Sequence, residues 1–276
     1  MTLSGRNVFF KMGIVFCLLS TLLALAASVF IIPVYSSIEE NVRHPVNFFQ
    51  TVTGLFTKSS YLAVHFSLIL AVLFSLVAMI LVFSFFERTS APEILYISLF
   101  IISLSFEIIR FMLPLYLIYN FSFFYLINTA RILLFARYFS IFSLFTASIC
   151  AAGLEVQKIR NIILILIVTV LLIVMGIPID TQTWDAGFNM VRGHSLLLNM
   201  IEVAVFIATI LTFFVAVKVR DSKEYAYIGI GVILALTGRN ILIGTDNWAG
   251  PVLGILLLSF GVWFICSKLH KIHLWL

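Results

Sequence analysis

Charge is scarce in this chain: only 11% of its 276 residues are Asp, Glu, Lys or Arg, against about 25% in an ordinary soluble domain. A soluble globule of this length cannot cover its surface at that level, so that class is excluded. Three cysteines exclude a disulfide-stapled secreted fold. No long basic run is present, which argues against a nucleic-acid partner. The polar, aromatic-poor composition of disordered chains is missing as well. What the chain has instead is 62% hydrophobic residues, 28 of them Phe, and a mean hydropathy of +1.16. The class left is an all-α, polytopic transmembrane helix bundle whose principal partner is the lipid bilayer.

A helix needs about 20 predominantly apolar residues to cross the hydrocarbon core. Runs of that kind cover residues 12–33, 60–86, 94–119, 121–153, 161–177 and 196–217. A further apolar stretch, 225–266, would be roughly 60 Å long as one helix, twice the core thickness. It must break, and Gly244-Thr245-Asp246-Asn247-Trp248-Ala249-Gly250-Pro251 supplies turn and helix-start chemistry. The last two spans are then 225–243 and 251–267, making about eight in one integral membrane domain, 1–276, with no soluble domain. The run 121–153 is over-long, so either its helix tilts and protrudes or 121–128 lies flat in the interface.

With the N-terminus inside, the inner segments collect Arg6, Lys11, Arg88, Lys158, Arg160, Lys218, Arg220, Lys223, Lys268 and Lys271. The outer ones hold Arg43, Lys58 and Arg192. The bias follows the positive-inside rule, placing both termini in the cytoplasm of a plasma membrane or bacterial inner membrane. It also suits anionic lipids of the inner leaflet. Ala24-Leu25-Ala26 resembles a signal-peptidase site, but the apolar stretch continues to Val34, which favours a retained anchor. Cleavage would leave seven spans. The longest connections are 35–59, expected to rest on the membrane surface through Phe48-Phe49 and Leu55-Phe56, and 178–195. No internal repeat is visible, which weakens an inverted-repeat transporter.

Ionisable residues inside spans are costly and therefore informative, at about 2.5–3.5 kcal/mol each at a helix centre. Glu107, Arg110, Arg131, Glu202 and Arg239 are candidate ligand-binding residues, with His65 and Arg137 as additional candidates. By the topology above, most lie in the outer half of the bilayer. Glu107 and Arg110, at i and i+3, can pair on one helix face. Glu202 and Arg239, at similar depth on consecutive spans, are expected to pair across helices. Arg131 and Arg137, six residues apart, differ by about 120° of arc and cannot both aim at one point. The outer cluster has a surplus of positive charge and suits a small anion, a carboxylate, a zwitterion or a lipid phosphate. The bland alternative is helix-holding ion pairs and snorkelling arginines.

Other chemistry finds little support. His44, His65, His194, His270 and His273 are scattered and make no metal site. No phosphate loop or nucleophile elbow occurs, and Ser59, Ser60 and Ser140 lack an adjacent base. No lysine within a late span offers a retinal attachment point, so neither a cofactor nor a metal is expected. Cys17, Cys150 and Cys266 are expected to be inert, with palmitoylation of Cys266 the alternative. Gly229, Gly231 and Gly238, and Gly250, Gly254 and Gly261, let the last two spans approach closely or form a homo-oligomer face. Two leading functions fit: a carrier for a small anionic or zwitterionic solute, or a ligand- or lipid-sensing module that signals to a separate partner. A structural subunit is the further alternative, and an intramembrane enzyme is the least supported. Carriage would require polar residues toward the inner side, where Arg137, Ser140, Ser143, Thr146 and Ser148 form the only trail.

Overall fold

The computed structural model describes residues 3–40, 54, 58–87, 89, 91–119, 122–153, 159–185 and 187–274. Most of the connection 35–59, including Phe48-Phe49 and Leu55-Phe56, lies outside the described residues or their side chains. The described helices are α1 (Leu3–Glu40), α2 (Tyr61–Phe86), α3 (Pro92–Ser105), a 3₁₀ segment (Phe106–Phe111), α4 (Met112–Tyr119), α5 (Phe123–Ala151), α6 (Ile159–Met175), α7 (Ser195–Arg220), α8 (Glu224–Gly244) and α9 (Ala249–Leu274). One antiparallel hairpin, β1 (Ile179–Trp184) and β2 (Met190–Arg192), separates α6 from α7.

Among the described residues, seven helical stretches are long and apolar enough to cross a membrane: α1, α2, the α3–3₁₀–α4 stretch, α5, α7, α8 and α9. The chain is an all-α, multi-pass membrane bundle. Helix α6 has 17 residues, a length of roughly 25 Å and the lower limit for a span. Helix α5 runs unbroken over 29 residues, with Ser122 Oγ accepting from Phe124 N–H at its start. The over-long run is therefore one continuous helix, and Phe123, Phe124 and Tyr125 stand exposed at its first turn.

Packing follows α8–α9–α2–α3–α5–α7 and back to α8, a closed ring of six helices, with α1 outside against α2 and α3 and α6 outside against α5. Helix α1 docks by a seam in which Phe10, Cys17, Ala24 and Ile31 are buried at seven-residue spacing, the repeat that keeps one helix face on its partner. Gly13 brings that seam so close that a Cβ there would stand 2.8 Å from Ile102 Cδ1.

The closest helix pair is α8–α9. A Cβ on Gly238 would lie 2.4 Å from Leu258 N, and one on Gly261 2.4 Å from Ala235 N. Gly231 faces Gly261 and Gly238 faces Gly254, so backbone touches backbone at two levels seven residues apart. In lipid, where apolar side chains gain nothing by leaving the solvent, such close backbone contact is what holds helices together.

The third span is not a uniform helix. Residues 106–111 tighten into 3₁₀ geometry, and Pro114 gives the reason: its ring has no N–H for the Arg110 carbonyl and crowds it. In a 3₁₀ helix, residues three apart eclipse, so Glu107 and Arg110 project from the same line into the bundle.

Candidate functional site

The intramembrane charges meet at the end of the bundle where the β-hairpin folds down. Glu107, 2% exposed at its side chain, accepts two parallel hydrogen bonds from Arg137, Nε to Oε1 at 2.8 Å and Nη2 to Oε2 at 2.7 Å. This fork matches the planar guanidinium to the planar carboxylate and is the strongest ion-pair geometry available to side chains. Arg110 Nη1 is 3.5 Å from Glu107 Oε2 and donates to the Ile243 carbonyl at 3.0 Å. That carbonyl lies in the last turn of α8, where no backbone N–H follows to bond it. Arg110 Nη2 donates to the Gly187 carbonyl in the hairpin turn.

The hairpin reaches the cluster a second time. Asn189 Oδ1 accepts from Arg137 Nη2 at 2.8 Å, while Asn189 Nδ2 donates to the Asp185 carboxylate at 2.9 and 3.0 Å. The turn is held in an unusual shape: Phe188 has φ +58°, a left-handed conformation that L side chains seldom take. The Phe188 ring supports it, packed with the cluster around Phe111 and Leu126 and stacked 5.8 Å from Tyr61. A Cβ on Gly187 would lie 2.7 Å from Arg110 Nη2, so a side chain there has to displace the guanidinium end or the turn.

Arg239 donates from Nη2 to the Arg137 carbonyl at 3.1 Å and from Nη1 to Asn240 Oδ1 at 3.0 Å. Among the described residues no carboxylate lies within 4.0 Å of it. The expected Glu202–Arg239 pair is not formed. Glu202 Oε1 instead accepts from Arg192 Nη1 at 3.4 Å, and Arg192 also donates to Tyr138 Oη at 3.2 Å and Asn199 Oδ1 at 3.0 Å. Glu107, Arg110, Arg137 and Arg239 are thus joined directly, and Glu202 joins the margin through Arg192.

Arg131 turns to the other side of α5, with Nη1 3.8 Å from Met175 Sδ. Its separation from Arg137 follows from six residues of helical rotation. His65 sits at the α1–α2 seam, with Nε2 2.9 Å from Ser28 Oγ and its ring 4.7 Å from Phe111. Among the described residues no three His, Cys, Asp or Glu side chains gather in a way that could hold a metal.

A cavity of about 340 Å³ opens beside the cluster, lined by Arg137, Asp185, Asn189, Arg192, Ser195 and the apolar face of α5 around Leu133 and Leu134. Its size is that of a small-molecule site, with a few convergent polar groups on apolar walls. Glu107 is sealed behind Arg137, whose side chain remains 16% exposed. Toward the opposite end of the bundle, the trail of hydroxyls on α5 is closed. Ser140, Ser143, Thr146 and Ser148 are buried and each donates to a carbonyl of their own helix at 2.6–2.8 Å.

Two participants, Asp185 and Asn189, come from a connection that the apolar pattern marks only as a loop. Arg192 belongs to it too, and counts in sequence as an outer topology charge. The Asp185–Gly187 turn signal and the Thr-Gln-Thr-Trp alternation of 181–184 are the available hints of a hairpin. Comparison with protein-family models, with curated proteins and with solved structures finds no match to this chain.

Proposed function

We propose that this membrane protein recognises a small anionic or zwitterionic solute in the cavity between α5, the hairpin and the end of α8. The single observation that supports this is that Arg137 and Arg192 line one ligand-sized cavity, within a cluster holding one more cation than carboxylates. The cations are Arg110, Arg137, Arg192 and Arg239; the carboxylates are Glu107, Asp185 and Glu202. A carboxylate or phosphate entering there completes the balance, and Asp185 offers a partner for an ammonium group.

Recognition coupled to a helix movement is favoured over carriage. The hairpin binds directly to the 3₁₀ segment of the third span through Gly187 and Arg110, and a 3₁₀ stretch inside a spanning helix is a place where a helix can change its winding. Beneath the cluster the α5 hydroxyls already donate within their own helix, which disfavours that trail as a path for a solute. The plasma or bacterial inner membrane, with both termini cytoplasmic, remains the location and orientation that the charge bias supports.

The test uses the full chain in phosphatidylcholine nanodiscs, titrated calorimetrically with inorganic phosphate, succinate and glycine. Saturable binding of at least one probe, weakened by Arg192→Gln and Arg137→Ala, is expected. Absence of binding by a folded chain to all three overturns the small-solute pocket. Proteoliposome uptake of the bound probe then separates the two modes: binding without flux supports recognition, and accumulation supports a carrier.

A further inference from the structure

A second cavity of about 600 Å³ lies between α7 and α8. Asn199, Glu202 and Asn240 line it at the hairpin end, and Val203, Phe206 and Leu236 line it deeper in the bundle. From Asn199 to Phe206 is seven residues, a descent of about 10 Å along a helix. The cavity therefore passes from polar to apolar over that distance, as a bilayer does from headgroup to hydrocarbon. Helix α7 is peripheral: 17% of the residues in its most apolar window are buried, and Val203 is 56% exposed on the groove wall. The groove thus opens on the flank of the bundle, where acyl chains surround the protein.

This groove adjoins the cavity of the charge cluster. Gly244 lines both, and Arg192, in the wall of the first, donates to Asn199 and Glu202 in the wall of the second. A soluble solute would fill the first and leave apolar walls in the second uncovered. A molecule with an anionic head and a hydrocarbon tail satisfies both, because the head meets the net positive charge of the cluster at its cavity-lining arginines and the tail replaces bilayer hydrocarbon on the apolar wall. Building on the pocket proposed above, we infer that the ligand is an anionic single-chain amphiphile. Its carboxylate or phosphate sits at Arg192 and Arg137, its acyl chain lies in the α7–α8 groove, and it enters sideways from the bilayer.

The experiment is photolabelling of the full chain in phosphatidylcholine nanodiscs with hexadecanoate bearing a mid-chain diazirine, mapped by peptide mass spectrometry. The inference expects label on 203–206 and 236–241 to exceed that on the α9 lipid face around Val252 and Leu256 by about tenfold, a preference worth about 1.4 kcal/mol. Excess hexadecanoate removes this label and hexadecan-1-ol does not. Val203→Trp, an exposed position that fills the groove without entering the charge cluster, abolishes the groove label and leaves phosphate or succinate binding unchanged. Uniform labelling of all lipid faces, equal competition by the alcohol, or groove labelling that survives Val203→Trp each overturns the amphiphile. Small-anion binding with no groove label leaves the soluble-solute pocket standing and removes the tail. Groove label competed by hexadecanoate without detectable small-anion binding supports the amphiphile, and failure of both measurements ends both proposals.

Discussion

Arg137 grips Glu107 with two parallel hydrogen bonds of 2.8 and 2.7 Å, and the two residues differ in exposure, 16% for the arginine side chain and 2% for the glutamate. The carboxylate is therefore a buried anchor that fixes the guanidinium plane, while the arginine's remaining face is presented to the cavity. Removing the arginine leaves the buried carboxylate with only Arg110 at 3.5 Å, and removing the carboxylate's charge leaves neighbouring guanidiniums without it, a loss on the order of 3–5 kcal/mol for buried pairs. Arg137→Ala and Glu107→Gln are each expected to lower stability by that order. The double variant should lose less than the sum, with a coupling energy of about 1–3 kcal/mol. Reversible unfolding in mixed detergent micelles reads all four corners of the cycle, and additive losses would show that the fork contributes nothing beyond its separate groups.

Much of this architecture is legible in the residues themselves, and the parts that are not share a cause. Apolar runs locate the spans because lipid demands them. The i, i+3 spacing of Glu107 and Arg110 places them together whether the segment is α or 3₁₀, and the glycines of 229–261 announce the close α8–α9 contact. Depth along a span, however, does not say which way a side chain turns about the helix axis. Arg131 and Arg137 lie six residues apart on one helix, yet rotation sends the first to Met175 and the second to Glu107. Nor does depth foresee a connection folding back into the bundle. Arg192, Asp185 and Asn189 take part through a hairpin whose turn is bonded to Arg110 and Arg137, residues distant in sequence. Pro114, four residues after Arg110, is the one local signal that the third span changes its winding there.

Arg239 contrasts with Arg137. Its guanidinium is held by a carbonyl and an amide oxygen, so removing it abandons no buried carboxylate. Arg239→Gln is expected to cost only the hydrogen bonds, about 1–3 kcal/mol, less than Arg137→Ala. Because it also removes the surplus positive charge of the cluster, it should weaken binding of an anionic ligand by about tenfold. Calorimetric titration and unfolding on the same nanodisc and micelle preparations check the two effects. A stability loss as large as that of Arg137→Ala would mean that Arg239 is a structural ion-pair member after all.

The α8–α9 contact makes a prediction with an internal control. At Gly238 and Gly261 a methyl group would stand 2.4 Å from backbone nitrogen of the neighbouring helix, where no side chain can rotate away. Gly238→Ala and Gly261→Ala must push the helices apart, and overpacking of this kind costs about 1–3 kcal/mol or more. Gly244, on the same helix, has nothing within 4 Å of its would-be Cβ. Gly244→Ala is expected to leave the thermal midpoint unchanged, while the other two lower it by several degrees. Equal losses at all three positions would show that the cost does not come from the approach of the backbones, since Ala is the better helix former at each of them.

Gly187 tests whether the hairpin communicates with the third span. Its carbonyl accepts from Arg110, and a Cβ on it would meet Arg110 Nη2 at 2.7 Å and Asn189 Nδ2 at 3.0 Å. Gly187→Ala must displace either the turn or the guanidinium. The hairpin lies at the end of the bundle, outside the spanning helices, so the loss of global stability is expected to be about 1 kcal/mol, the size of one ordinary hydrogen bond. The change in hydrogen exchange should be local to two places distant in sequence, the turn 187–192 and the 3₁₀ segment 106–111, with faster exchange at both. Faster exchange confined to the hairpin would show that the 3₁₀ segment keeps its winding without it, and that Arg110 is held by Glu107 and the Ile243 carbonyl alone.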